Sequence, residues 1–263
     1  MSNDTAQPVT VETANHIATI TMNDPARRNA LGGVMLSGLR RAFDEATATG
    51  IRVVVLRAAP GNSVWCAGFD IDDLVVGQDP LAGDGPLMAL FGAVQSCPAP
   101  VIAQLTGTAW GGGADLALRC DIAVATPACT LAFTPARLGL PYDPDGLLNV
   151  LNRGGLNLAM EMFATGNPVP AERALQAGLL NHVVPEAEVE SFVRTMAERI
   201  AANAPLSVGS AKAQLRALNA ALHVPTAVMQ AMLEIRRRAL DSQDFAEGLA
   251  AFRGKRKPRF EGK

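Results

Sequence analysis

Tyrosine occurs once in these 263 residues, tryptophan twice, histidine three times and cysteine four times. Residues that bind metals or carry redox chemistry are therefore few, and they are scattered. His16, His182 and His223 share no ligand spacing and read as surface or capping residues. Cys66, Cys97, Cys120 and Cys129 form no Cys-x-x-Cys pair, which argues against a zinc site or a dithiol redox centre. Reduced thiols in a cytoplasmic protein are expected instead. No apolar run reaches the roughly 18 residues of a membrane span. The opening segment, Met1 to Pro8, is polar and lacks a basic-then-apolar leader pattern. Net charge is −2, so no broad attraction to nucleic acid or to a membrane surface follows.

Apolar residues are plentiful. They make up 49% of the chain against 18% charged, which excludes disorder and can fill one large core. Val9 to Met22 alternates around Asn15-His16 and predicts a hairpin. Leu36, Leu39, Phe43 and Ala46 stand at helical spacing within Met35 to Thr47. Ile51 to Leu56, Val101 to Leu105, Asp121 to Thr126 and Thr130 to Phe133 read as strands. Strands alternating with helices predict an α/β arrangement. After about Gly146 the pattern reads as wholly helical. Its clearest stripe is Val189, Phe192, Val193, Met196 and Ile200 within Ala187 to Ala202. Leu206 to Leu222, Ala227 to Leu240 and Asp244 to Arg253 follow, punctuated by Pro205 and Pro225. The expected division is a core over residues 1–200 and a helical region over 201–263. The Gly- and Pro-rich stretch 75–86 is a candidate lid. Arg236-Arg237-Arg238 reads as a solvated or interface-facing stripe.

The most informative stretch is Trp110-Gly111-Gly112-Gly113-Ala114-Asp115. It lies between a buried strand, Val101 to Leu105, and a helical segment, Leu116 to Arg119. Three glycines there cost backbone entropy and add no packing. Free N–H groups at a helix start suit a negatively charged oxygen. The spacing is neither a dinucleotide fingerprint nor a P-loop. A second turn, Cys66-Ala67-Gly68-Phe69-Asp70, follows the strand that ends at Leu56. One N–H from each turn, aimed at the same oxygen, would make an oxyanion hole.

These turns belong to an ordered series. Arg28-Asn29-Ala30-Leu31 precedes them, and Cys120-Asp121 follows. Leu138-Gly139-Leu140-Pro141, Ala171-Glu172-Arg173-Ala174 and Gly178-Leu179-Leu180 complete it. The series resembles the enoyl-CoA hydratase/isomerase (crotonase) superfamily over nearly the whole chain. Within it, Thr134 to Tyr142 and the tail segments Arg237 to Phe245 and Lys255 to Phe260 are most similar to the methylmalonyl-CoA decarboxylases. The resemblance implies a spiral of βαβ units followed by a helical C-terminal extension that makes trimer contacts, with trimers alone or paired into hexamers. It implies an acyl-CoA substrate, and no cofactor beyond the coenzyme A of that substrate.

The resemblance also assigns roles. Phe69 and Gly112 would supply the oxyanion-hole N–H groups. Asp115 stands where one of the two glutamates of typical hydratases falls, and Ala136 stands near the other. Tyr142 matches the tyrosine of the decarboxylase-like members. Arg28 and Lys255 are candidates for the coenzyme A phosphates, with Lys255 reaching a neighbouring subunit's ligand. Thr134 matches a substrate-contacting threonine, and Cys66, Gly68, Asp70 and Ile71 flank the first turn as substrate-binding candidates. Three activities remain open at this point. They are decarboxylation of a methylmalonyl-CoA-like thioester, hydration or isomerisation of an enoyl-CoA through Asp115, and acyl-CoA binding by a non-catalytic trimer.

Overall fold

The computed structural model describes residues 7–76, 78–83, 85–220 and 225–263. Asn15 and His16, both at positive φ, turn the chain between β1 (Val9–Ala14) and β2 (Ile17–Met22), which pair antiparallel. Helix α1 (Gly33–Ala48) leads to β3 (Val53–Ala58) and β4 (Val64–Cys66). Helix α2 (Pro86–Ser96) leads to β5 (Val101–Leu105) and β6 (Thr108–Trp110). Helix α3 (Gly112–Arg119) leads to β7 (Ile122–Ala125) and β8 (Thr130–Ala132).

Each of these helix–strand–strand turns lays one strand in each of two sheets. One sheet has the order β1-β2-β3-β5-β7 and is extended by β10 (His182–Val183); the other has the order β4-β6-β8 and is extended by β9 (Val169–Pro170). Successive members, β3 to β5 to β7 and β4 to β6 to β8, pair parallel. The chain therefore climbs as a spiral. Both faces of the larger sheet are covered, which is why β3 and β5 read as unbroken apolar runs. Val54 and Leu56 face one core with Leu39, Phe43 and Phe91. Val53 and Val55 face a second core with Ile102 and Val124.

The second half begins with α4 (Pro144–Thr165), broken at Gly155, where φ is 75 and ψ 167. Next come β9 (Val169–Pro170), α5 (Ala171–Gln176) and β10 (His182–Val183). Helix α6 (Glu186–Ala202) then covers the second core with Val189, Val193, Ala197 and Ala201. Helices α7 (Pro205–Ala220), α8 (Thr226–Leu240) and α9 (Gln243–Arg253) follow. Asp121 fastens α7 to the sheet. It accepts from Val101 N–H at 2.8 Å and pairs with Lys212 and Arg216, each at 2.7 Å.

The structure corrects several sequence expectations. The segment after Gly146 is not wholly helical, because β9 and β10 interrupt it; two residues are too few to show a period. The Cys66 turn follows β4, not the strand that ends near Leu56. Helix α3 starts at Gly112, four residues before the helical segment expected from Leu116. The boundary expected at 200/201 falls inside α6, which ends at Ala202. The helix expected over Leu206 to Leu222 is described as far as Ala220; Leu222 and His223 lie outside the described residues. Arg237 and Arg238 are exposed and pair with Glu234, but Arg236 is 7% exposed and pairs with Asp79. Burial lowers the Arg236 guanidinium to about 10. It ties α8 to the candidate lid, and Arg253 of α9 donates at 2.9 Å to the carbonyl of Leu74, just before the lid. Among the described residues, no helix is long and apolar enough to cross a membrane.

Candidate active site

The Arg28–Leu31 segment builds the first wall by gripping the end of β4. Asn29 is fully buried at φ 52, and its side chain donates to the Trp65 carbonyl at 3.0 Å and accepts from Asp24 N–H at 2.7 Å. Its carbonyl accepts from the Cys66 thiol at 3.1 Å. Ala67 N–H donates to the Arg28 carbonyl, and Leu31 N–H to the Gly68 carbonyl. Leu31 and Phe69 form an isolated parallel bridge. That bridge uses the N–H of Leu31 and of Asp70, and leaves the N–H of Phe69 free.

The second turn is pressed against the first. Gly68 sits at φ 93, and a Cβ there would lie 2.5 Å from the Trp110 carbonyl oxygen. A Cβ on Gly113 would lie 2.7 Å from the Cys66 sulfur. Glycine at these two positions is what allows the turns to touch. Gly111 N–H is occupied by the Ala132 carbonyl at 2.8 Å. Gly112 is the first residue of α3, so its N–H has no helical acceptor. A Cβ built on Gly112 would lie 3.4 Å from the Phe69 nitrogen, which makes the two amides neighbours. Neither N–H has an acceptor among the described residues. Two free donors on touching turns, one at a helix N-terminus, suit an oxygen that gains negative charge.

One helical turn beyond Gly112, the Asp115 carboxylate is completely buried. Oδ1 accepts from Arg119 Nε at 3.0 Å and from Asn149 Nδ2 at 2.9 Å. Oδ2 accepts from Arg119 Nη2 at 3.2 Å and from the Tyr142 hydroxyl at 3.1 Å. A carboxylate offers about four lone-pair sites, so Asp115 is saturated. Arg119 also donates to Asp145 at 2.6 Å, and its guanidinium lies 4.3 Å from the Phe91 ring centroid. Burial acts against its charge, but Asp115 and Asp145 outweigh burial and raise it above the ordinary arginine value. The Tyr142 ring packs against Phe133 and Phe163, each with its centroid 5.3 Å away, while those two rings lie 4.6 Å from each other. Asp143 caps α4 through Oδ1, accepting from Asp145 and Gly146 N–H groups.

Burial pushes the thiols of Cys66, Cys120 and Cys129 up to about 12. Burial, then the charges of Asp115 and Asp143, hold the Tyr142 phenol well above its usual range. These groups keep their protons in the folded chain at pH values where the unfolded chain releases them. Their contribution to stability is fully present below about pH 9 and is lost as pH rises towards 12. Melting curves are expected to hold a steady Tm up to about pH 9 and to fall beyond it; a Tm that rises above pH 9 would contradict these placements.

A cleft of about 440 Å³ opens beside the two turns. Ala67 and Trp110, which flank the turns, line it with Thr134, and Arg28 and Arg137 lie on its wall. The chain's own tail closes it through Phe252, Arg256 and Pro258. Of the expected binding residues, Arg28, Ile71 and Thr134 line this cleft. Cys66 and Gly68 belong to the first turn, where they make its close contacts with Gly113 and Trp110 of the second. Asp70 caps the short helical turn Ile71–Asp73 and pairs with Arg27. Lys255 is exposed at φ 50 and is not on the cleft wall, where Arg256 stands instead. Sequence reasoning missed Arg137, Arg256, Asn149, Gly146 and Arg119. Only Arg119 had a readable signal, its i+4 spacing from Asp115.

The spiral of paired sheets and the two N–H-bearing turns define a class. The chain belongs to the enoyl-CoA hydratase/isomerase family, whose model matches residues 12–263. It is 37% identical to methylmalonyl-CoA decarboxylase of Escherichia coli over 97% of this chain and 98% of that one. A solved structure of methylmalonyl-CoA decarboxylase in complex with 2-nitronate-propionyl-CoA superposes with a TM-score of 0.94, at 37% identity, over 98% of this chain and 99% of the other. The (E)-benzylidenesuccinyl-CoA hydratase of Thauera aromatica is 31% identical over 97% of this chain and 99% of its own. The fold is the crotonase fold, and the family's members include both decarboxylases and hydratases.

Proposed function

We propose that the protein decarboxylates a methylmalonyl-CoA-like thioester. One observation carries this reading against the hydratase alternative: every lone-pair site of the Asp115 carboxylate is taken by Arg119, Asn149 or Tyr142. Hydration needs placed acid and base groups with room to exchange protons. Asp115 has no such room, and Ala136 supplies no second carboxylate. Decarboxylation needs less. The bond between the α-carbon and the carboxylate breaks, and its electron pair flows into the thioester as an enolate. CO2 departs, and the α-carbon then takes one proton from solvent. The N–H groups of Phe69 and Gly112 would bind the enolate oxygen more strongly than the ground-state carbonyl. The phenol of Tyr142 would stand beside the departing carboxylate and set its orientation. The similarity to methylmalonyl-CoA decarboxylase over nearly the full chain supports this substrate class.

Arg28, Arg137 and Arg256 on the cleft wall would meet the phosphates of coenzyme A. Coenzyme A arrives as part of the substrate, and the chemistry drawn here calls for no metal and no redox cofactor. We further propose a homotrimer in the cytoplasm. Leu206, Leu215 and Leu218 on α7 are 88%, 67% and 70% exposed, which supports their burial against other copies.

Two expected results test the reading. Crotonyl-CoA hydration, followed by loss of enoyl absorbance, is expected to be at least about 10²-fold slower than decarboxylation, the scale of a missing acid–base group. Fast hydration would promote the hydratase reading. A Cβ at Gly146 would lie 2.3 Å from the Tyr142 ring, so Gly146→Ala must displace that ring. It is expected to lower decarboxylation about 10²-fold, as a misplacement near 1 Å does. Unchanged kcat would remove Tyr142 from the reacting centre.

A further inference from the structure

The structure assigns Asp115 as a positioning residue: a buried carboxylate, clamped by Arg119 and Asn149, that takes the hydroxyl hydrogen of Tyr142 and turns the phenol's lone pair towards the acyl site. The assignment rests on the decarboxylase reading for its catalytic consequence, and on geometry alone for the clamp itself. Arg119 and Asn149 supply three hydrogen bonds to Asp115, and the fourth comes from Tyr142. An ionised carboxylate only accepts, so Tyr142 must donate in that bond. Its one hydroxyl hydrogen is then committed. What remains for a substrate is an oxygen lone pair, which repels a carboxylate placed against it and cannot protonate the enolate.

Arg119 and Asn149 approach from two different elements. Arg119 lies on α3, four residues from Asp115, and is 1% exposed. Asn149 lies on α4 and also receives Arg153 Nε at 3.4 Å. The remaining charged neighbours are Asp145, which holds the far side of Arg119 at 2.6 Å, and Asp143, whose Oδ1 is bound to the N–H groups that open α4. Gly146 has no side chain, and a Cβ there would come within 3.0 Å of Asp115 Oδ2 and 2.3 Å of the Tyr142 ring. The geometry therefore brings Tyr142 to Asp115 and leaves the carboxylate no site for a substrate proton.

Tyr142 is the only tyrosine in the chain, so tyrosinate absorbance reports on it alone. The test combines that titration with a double-mutant cycle on the full chain. In Asp115→Asn the phenol is expected to titrate about one to three pH units lower than in the parent, because a neighbouring negative charge has gone. On methylmalonyl-CoA, kcat of Asp115→Asn is expected to fall about 10-fold with KM little changed, less than the loss in Tyr142→Phe. The double variant is expected to match Tyr142→Phe alone, since residues that act as one unit are not additive. An unshifted phenol titration, or a double variant reduced by the product of the two single losses, would overturn the assignment. Asn149→Ala, which keeps the charge, guards against a misfolded Asp115→Asn. Its kcat deficit is expected to vanish in the Tyr142→Phe background; a deficit that persists there would count against the clamp. If the parent does not decarboxylate, the functional reading fails, while the phenol titration still decides the role of Asp115.

Discussion

Tyr142→Phe is expected to lower decarboxylation of methylmalonyl-CoA by about 10²–10⁴-fold, the usual scale of one positioned polar group. The substitution removes a hydroxyl and keeps the ring, which packs against Phe133 and Phe163. The buried Asp115 oxygen loses one donor, a cost of about 1–3 kcal/mol, so a cooperative melting curve shifted down by several degrees is the accompanying expectation. The loss should fall on kcat. Coenzyme A is gripped elsewhere, along the cleft wall at Arg28, Arg137 and Arg256, and such remote contacts act equally on ground and transition states. Asp115→Asn is expected to be the milder change. Should Tyr142→Phe leave decarboxylation intact while Asp115→Asn abolishes all activity, the decarboxylase mechanism is wrong and a single-carboxylate isomerase is the better account.

Gly112→Pro is expected to cost at least about 10²-fold in kcat, the lower bound for one oxyanion donor, equivalent to roughly 3 kcal/mol. The position makes the substitution informative. Gly112 is the first residue of α3, where proline is favoured because that N–H has no helical acceptor. The nearest atoms to a Cβ there are Phe69 N at 3.4 Å and Leu87 Cδ2 at 3.5 Å, which are ordinary contacts. Proline thus removes the donor while the helix start survives. A protein with a normal melting curve and near-parental activity would sink the oxyanion assignment.

Where sequence and structure agree, the cause is local or periodic. Asn15-His16 marks the β1–β2 hairpin because a two-residue turn needs positive φ. Val53 to Leu56 and Val101 to Leu105 are legible because both faces of their sheet are covered. The glycines of the two turns stand out because they add no packing of their own, and the structure gives the reason: Gly68 and Gly113 let the turns touch. Where the two differ, the cause is long-range or too short to show a period. Strands β4, β6, β8 and β9 have two or three residues each, so the second sheet leaves almost no pattern. Asp115 reads as a candidate proton carrier on its own, and only Asn149 and Tyr142, brought in from the start of α4 and the turn before it, show that its oxygens are occupied. Asp70 reads as a binding residue, yet its oxygens serve a cap and Arg27. Arg256 reaches the chain's own cleft because the chain turns back after α9, with Arg256 held by Glu247; no sequence pattern shows that long-range approach.

The most direct test is product identity. Purified protein is incubated in deuterated water with methylmalonyl-CoA, malonyl-CoA and crotonyl-CoA, and the thioesters are followed by mass. The account predicts that methylmalonyl-CoA loses the mass of CO2 and gains one deuterium at the α-carbon, since solvent supplies that proton, while crotonyl-CoA is returned almost unchanged. Water added rapidly to crotonyl-CoA, with methylmalonyl-CoA left intact, would contradict it.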